Sequence, residues 1–343
     1  MAATVMAKSV LAHEIGLALE SGEEFGMAMF PGEMTPRWFG ANSGNQPAME
    51  VSPWLAPYSQ RIVIGNGNSL DCPYIGIPVA STPHEEYIRG VSHVIDSCRM
   101  RNGKTVFSRV VCGEIGQDRL PAVASKLFAS HPDTLRFIYY TPATGVWLGA
   151  TPELLLDFDR NSGLFRTMAF AGTRPRKAFV PWDGKNIREN RFVIDYITRR
   201  LKTLGVSAEV AELETVAYGA IEHLCANISG QASPDALEKI IDAINPTPAL
   251  CGYPKDEAIS DISLNESHTR GCYGGFIGFS SPLRYVAFVN LRCLQFRDGK
   301  FCIYGGGGIT AESDPETEYT ETDAKTALLR ELTTELKDGQ IDI

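Results

Sequence analysis

Glu318, Glu321 and Lys325 stand at i, i+3 and i+7, so a helix over this stretch gathers two carboxylates and an ammonium on one face. That grouping could hold a charged partner. It also suits a solvated face with a Glu321–Lys325 pair one turn apart, which is the commoner case. The run just before it, Tyr304-Gly305-Gly306-Gly307-Gly308-Ile309, favours the first reading. Successive glycines bring bare backbone N–H groups close to an anion, and a structural turn rarely needs four of them. The run is no P-loop, because no Gly-Lys-Ser/Thr follows it and no helix begins there. A nucleotide-binding reading fails on the same ground.

Other chemistry-bearing residues are less informative. The eight cysteines (Cys72, Cys98, Cys112, Cys225, Cys251, Cys272, Cys293 and Cys302) include no CxxC pair and none at metal-finger spacing from a histidine. They read as free, buried thiols of a reducing cytosol. The six histidines form no ligand spacing. The net charge of −9, from 32 basic and 41 acidic residues, argues against nucleic acid or an anionic membrane as the main partner. An anionic small molecule stays open if a metal or a few local cations correct the field at one site. No secretory leader pattern and no apolar run of ~20 residues is seen, so the expectation is a soluble, cytoplasmic protein.

The elements that would position these residues follow from periodicity. Residues 7–22 have helical spacing, and 26–31 could be a strand. Residues 39–83 read as irregular strands and turns. Helical intervals among Ile88, Val91, Val94, Ile95 and Cys98 predict a helix over 84–101, ended by Asn102-Gly103. Further helices are expected at 119–130, 183–204, 233–243, 254–265 and 315–337. Strands are expected at 104–111, 135–141, 146–157, 164–172, 207–217, 221–229, 274–280, 285–297 and 300–305. Strands mostly succeed strands, so the fold class is α+β with largely antiparallel sheets. No linker splits the chain, and residues 1–343 are expected to form one domain.

The C-terminal stretch from Tyr304 through Pro315 to Lys325 resembles the signature of the chorismate-binding superfamily, which includes anthranilate, aminodeoxychorismate, isochorismate and salicylate synthases. Further segments match in order: Lys104-Thr105-Val106-Phe107-Ser108-Arg109, Gly149 to Leu155, Ala171-Gly172-Thr173-Arg174-Pro175-Arg176, Lys185 to Glu189, His223-Leu224, Pro246 to Leu250, Tyr273-Gly274-Gly275 and Leu291-Arg292-Cys293. The match spans residues 86–337, with the first 85 residues weakly covered. It implies the anthranilate synthase component I-like fold: two large, mainly antiparallel sheets packed together, helices outside, and the active site in a cleft at their edge.

Roles carried by the resemblance follow residue by residue. Glu189 and Glu321 correspond to Mg²⁺ ligands, with Glu318 nearby through water. Mg²⁺ takes a few carboxylates and keeps several waters, so two acids suffice. The metal would hold the ring carboxylate of chorismate, with further donors from Gly172 and Thr173. Arg292, Lys325 and the backbone of Gly306, Gly307 and Gly308 would hold the enolpyruvyl carboxylate. His223, Ala249, Leu250, Tyr273 and Leu291 would line the substrate. Glu153 matches the general acid for the departing C4 hydroxyl, and Lys104 the base that takes a proton from water attacking C2. A lysine serves so only with a lowered pKa.

Lys104 selects the branch. Ammonia-using members typically carry glutamine there and water-using members lysine, so the resemblance implies an isochorismate synthase, a Mg²⁺-dependent isomerase with chorismate as its small-molecule partner. A monomer fits the family. Tyr273 and Leu291 also occur in salicylate synthases, which go on to eliminate pyruvate, as well as in some isochorismate synthases of menaquinone pathways. Ala249 and Leu250 follow the isochorismate synthase pattern. Two departures stand out: Asn186 where many relatives have an acid, and Asn190 where they have histidine. Leu19-Glu20-Ser21 is similar to a tryptophan-binding segment of anthranilate synthase, but its flanks do not match.

Overall fold

The protein's structure, a computed structural model, describes residues 24–28, 39–41, 62–64, 75–131, 134–141, 144–176, 181–280 and 282–335. The helix expected over 7–22, the Leu19-Glu20-Ser21 segment and Cys72 lie outside the described residues. In chain order the first elements are β1 (Glu24–Ala28), β2 (Phe39–Ala41), β3 (Ile62–Ile64), α1 (His84–Arg101), β4 (Lys104–Glu114), α2 (Leu120–Ser130), β5 (Leu135–Thr141), β6 (Gly145–Thr151), β7 (Leu154–Asp159) and β8 (Leu164–Pro175). Then come α3 (Gly184–Thr203), β9 (Ala208–Val210), β10 (Glu214–Tyr218), β11 (Ile221–Gln231), α4 (Leu237–Ile244), β12 (Gly252–Tyr253) and α5 (Lys255–Asn265). The chain ends through β13 (Phe276–Ser280), β14 (Arg284–Val289), β15 (Cys293–Arg297), β16 (Lys300–Ile309) and α6 (Pro315–Glu335).

Two sheets result. The first runs β10-β11-β8-β7-β14-β13-β1-β2, with β9 beside β11, and the second runs β12-β4-β16-β15-β6-β5-β3. Apart from the parallel β3–β5 pair, the strand pairs are antiparallel, for example β8 with β11 and β4 with β16. The α+β expectation holds. Period-two alternation gives the second sheet two apolar faces. Phe137, Trp147 and Cys302 belong to one core with the first sheet's Leu156 and Phe158 and with Val193 and Ile197 of helix α3. Ile138, Leu148, Leu294 and Ile303 face the other way, onto Leu127 of α2 and Leu329 of α6. Each such leucine or isoleucine, buried, contributes about 1.5–3 kcal/mol against an exposed reference.

Helix ends follow their local chemistry. Asn102 takes a left-handed φ of 53° after α1, with its N–H returned to the Cys98 carbonyl. Asp183 caps α3 by accepting from the Asn186 N–H. No described helix is long and apolar enough to cross a membrane.

The strands expected as single runs at 146–157 and 285–297 are each two strands in different sheets. At Pro152-Glu153 the chain leaves the second sheet and enters the first; at Asn290-Leu291-Arg292 it returns. Pro152 has no N–H to continue a ladder, and Arg292 turns the backbone with φ 54°, a costly conformation for a non-glycine residue. The two crossings are pinned to each other. The Thr151 hydroxyl donates to the Val289 carbonyl at 2.6 Å, and the Val289 N–H donates to the Glu153 carbonyl at 2.9 Å. The expected strand at 207–217 likewise divides into β9 and β10, and the strand ending at 305 continues to Ile309 through the glycines.

The cysteine expectation is corrected in part. Cys112 and Cys302 stand opposite each other on β4 and β16 and form a disulfide. Strand pairing brings together two thiols 190 positions apart, which spacing along the chain does not reveal. Cys98, Cys225, Cys251, Cys272 and Cys293 are free and buried as expected.

Thr151 is fully buried, so Thr151→Val keeps its shape while leaving the Val289 carbonyl unmatched. Urea unfolding should show a loss of about 1–3 kcal/mol. An unchanged midpoint would mean that the crossing does not depend on this bond.

Candidate active site

The four glycines lie inside β16 rather than in a loop after it. β16 pairs with β4 over its whole length but with β15 only over residues 300–303, so from Tyr304 onward one strand edge faces a cleft. Side chains would alternate across this strand, and neither face has room for one. A Cβ on Gly306 would come within 2.8 Å of the Tyr273 hydroxyl, and one on Gly307 within 3.0 Å of Glu318 Oε2. On Gly308 it would strike Glu189 Oε1 at 1.9 Å and Lys104 Cε at 2.8 Å. The Gly306 carbonyl on this strand accepts from Lys325 Nζ at 2.9 Å.

Three carboxylates therefore converge on the Gly307-Gly308 backbone: Glu189 from α3, Glu318 and Glu321 from α6. Each is paired with a lysine, Lys104–Glu189 at 3.0 Å, Lys185–Glu318 at 2.5 Å and Lys325–Glu321 at 2.6 Å. Burial opposes charge on Glu189, yet Lys104, Lys185 and Lys325 together hold its pKa below the usual carboxylate range. Glu318 is pushed up to about 7, first by burial and then by the Glu321 charge, against the pull of Lys185. Its Oε2 is buried without a hydrogen-bond partner. Among the described residues no three acidic, histidine or cysteine side chains are already gathered as a metal cage. The donor set nonetheless fits a hard divalent cation. It offers carboxylate oxygens, one of them unsatisfied, and a glutamate whose charge needs another positive neighbour.

Arg292, placed by its left-handed backbone at the sheet crossing, donates Nη1 to the Lys325 carbonyl and Nη2 to His223 Nε2 at 2.9 Å, and its guanidinium lies over the Tyr218 ring. A guanidinium only donates, so His223 Nε2 must accept and the ring proton sits on Nδ1. That Nδ1–H then donates to the Thr173 hydroxyl at 3.1 Å. Thr173 and Gly172, the latter at φ +84°, form the cleft's other wall. The Thr173 N–H is already taken by Asn186 Oδ1 at 2.9 Å, so its hydroxyl is the free donor there. Asn186 in turn donates to Asp183 at 2.9 Å. Asn190 donates to the carbonyls of Ala169, Ala171 and Leu224, tying α3 to β8 and β11. Both departures from the family pattern are thus structural ties of α3 to the sheet.

Glu153, at the sheet crossing, is buried, and its pKa is raised to about 8 because burial outweighs Lys104, Thr247, Arg292 and Lys325. The Thr247 hydroxyl lies 3.5 Å from its Oε1, the long limit of a hydrogen bond. The cleft has an empty volume of about 530 Å³ and is lined by Glu153, Gly172, Thr173, Glu189, His223, Ala249, Leu250, Tyr273, Leu291, Arg292, Gly306, Gly308 and Lys325. Lys104, fully buried, and Gly307, Glu318 and Glu321 stand behind this lining rather than in it. Sequence reasoning missed Val106, Phe170 and Tyr304, which also line it. These are ordinary core types, and only their position gives them a site.

Residues 77–333 match the family described as chorismate binding enzyme. The chain belongs to that family. It is 30% identical over 212 residues to the isochorismate synthase MenF of Haemophilus influenzae, covering 59% of this chain and 49% of that protein. The chain thus spans about half the length of that curated relative. In fold it is similar to MenF of Escherichia coli, a menaquinone-specific isochorismate synthase, with a TM-score of 0.65, 24% identity and coverage of 76% and 65%. It is similar as well to anthranilate synthase component I of Streptococcus pneumoniae, with a TM-score of 0.64, 19% identity and coverage of 92% and 78%.

Gly308→Ala forces the flexible end of Glu189 aside rather than the backbone. The variant should fold, and crowding of the buried Glu189 and Lys104 side-chain ends should cost about 1–3 kcal/mol in urea unfolding. An unchanged midpoint would mean that both ends find room elsewhere.

Proposed function

We propose that this protein is a Mg²⁺-dependent isochorismate synthase, adding water at C2 of chorismate and releasing the C4 hydroxyl. The observation that carries the reading is a proton-holding carboxyl in the cleft with a buried amine close behind it. Glu153 is buried so that it holds its proton at neutral pH, and Lys104, an amine rather than an amide, is buried beside Glu189. A carboxyl held in its acid form at neutral pH is what a general acid for a departing hydroxyl needs.

In this reading Glu153 gives its proton to the departing C4 hydroxyl and Lys104 takes one from the incoming water. Lys104 can accept that proton only as the neutral amine, so its ammonium must first release a proton to solvent and part from Glu189. Arg292 and Lys325 hold the enolpyruvyl carboxylate beside the open edge of β16, and the Thr173 hydroxyl, oriented by His223, donates to the ring carboxylate. Glu189 and Glu321, with Glu318, would hold Mg²⁺, whose charge offsets that of the ring carboxylate. A protein of net charge −9 then meets a dianion through a local excess of positive charge. The MenF relatives and Lys104 favour water over ammonia as the nucleophile. Tyr273 and Leu291 in the lining keep salicylate synthase as the second reading.

Chromatography of the products from chorismate and Mg²⁺ tests this directly. Isochorismate should form even in ammonium buffer, chelator should stop the reaction and Mg²⁺ should restore it. Chiefly salicylate with pyruvate, or anthranilate, would replace the proposal.

Glu153→Gln should lower turnover by ~10²–10⁴ with little change in affinity. The sign of the pH dependence follows from Glu153: its acid form is full below a pKa of about 8 and lost as pH rises through it. The wild-type kcat/KM should therefore fall on the alkaline side, and the residual rate of Glu153→Gln should lack that limb. A variant that keeps the same alkaline fall would assign it to another group.

Lys104→Ala should abolish isochorismate formation while Mg²⁺ binding, followed by calorimetry, survives. Near-normal product formation would remove Lys104 from the mechanism.

A further inference from the structure

Lys185 is the one cation of the cluster to which the proposed chemistry gives no task. It sits in the first turn of α3, and among the described residues its only hydrogen-bond partner is Glu318. Glu318 has nowhere else to go. Its side chain is 1% exposed, its Oε2 has no partner, and the Gly307 backbone presses close enough that a Cβ there would sit 3.0 Å from that oxygen. Its charge must be compensated in place. Lys104 and Lys325 compensate the other two glutamates, and neither opens to solvent as far as Lys185 does. Lys104 is 0% exposed and Lys325 is also bonded to the Gly306 carbonyl. Lys185 is 24% exposed, and its long aliphatic stem opens to solvent.

Three ionised glutamates and three lysines sum to no net charge, so an arriving divalent cation meets carboxylates that each already hold an ammonium. One ammonium must give way, and Lys185 is the most exposed of the three. Burial disfavours the Lys185 charge, but Glu318, Glu189 and Glu321 together more than offset it, so the ammonium lies in the field of all three proposed ligands. We propose that Lys185 is a built-in stand-in for the metal: its ammonium holds Glu318 in the metal-free protein and swings to solvent when a divalent cation enters, so that loading is an exchange of one cation for another. This rests on the metal site of the proposed function.

The wild-type chain tests it without any turnover measurement. Acylation of lysines with an amine-reactive ester, read by peptide mass spectrometry, should show Lys185 reacting severalfold faster when saturating Mg²⁺ is added, with Lys104 and Lys325 unchanged. Reactivity of Lys185 that stays level or falls overturns the exchange. Lys185→Met removes the competitor, so calorimetry should give Mg²⁺ affinity roughly fivefold tighter, about the upper worth of an ion pair that still touches solvent. Lys185→Arg should bind as wild type. Weaker binding by Lys185→Met would make Lys185 a support of the site instead and overturn the proposal. If that variant folds only with Mg²⁺, the stand-in is supported; if it folds under neither condition, the acylation result decides. Turnover of chorismate with Mg²⁺ while Lys185 stays indifferent to the ion refutes the exchange alone. The absence of both Mg²⁺ binding and turnover refutes the functional reading with it.

Discussion

The site depends on a balance of buried charge. Glu189, Glu318 and Glu321 are brought against one strand, and a buried carboxylate survives as an anion only with compensation close at hand. Lys104, Lys185 and Lys325 supply it within 3.0 Å. The rest of the local structure serves this arrangement. The glycines remove side chains that would push the two sets apart, α3 and α6 bring carboxylates from the middle and the end of the described chain, and Asn186 and Asn190 lock α3 to the sheet.

Compensation by lysine rather than arginine also matters chemically. An ammonium is a point charge on a flexible stem and can change partner, whereas a guanidinium fork is bound to one geometry. Arginines are kept for fixed tasks. Arg292 sets the tautomer of His223 and through it the direction of the Thr173 hydroxyl. Arg270 ties the segment before Tyr273 to β4 through Glu266 and the Val106 carbonyl.

Much of this was legible in the sequence because it is local. The i, i+3, i+7 spacing of Glu318, Glu321 and Lys325 places them on one face of α6 as expected, and the helical periods of α1 and α3 fall within a residue of their observed ends. What stayed hidden is non-local. The β-forming runs at 146–157 and 285–297 hide their change of sheet: Pro152 marks a break in the first without telling which sheet follows, and the second reads on in apolar types to both sides of Asn290. Glu153 and Arg292 lie at those changes. The glycines read as following a strand because strand interiors seldom tolerate them, and here the neighbours that exclude a Cβ come from β4, α3, α6 and Tyr273. The Cys112–Cys302 bond was hidden for the same reason: its register is set by β4 and β16 as a pair.

The crossings have a consequence for how this chain acquires its structure. β6 and β15 pair in one sheet, while β7 and β14, which directly follow and precede them, pair in the other. Neither sheet can be completed from a contiguous stretch of chain, and each waits for strands that emerge late in synthesis. A nascent chain released as far as β8 holds β6 without β15 and β7 without β14, with apolar edges uncovered on both. Contacts of such sequence separation form slowly. Until β14 to β16 arrive, those half-built sheets must be kept from pairing with other chains, so aggregation during synthesis should be governed by the middle of the sequence more than by its ends.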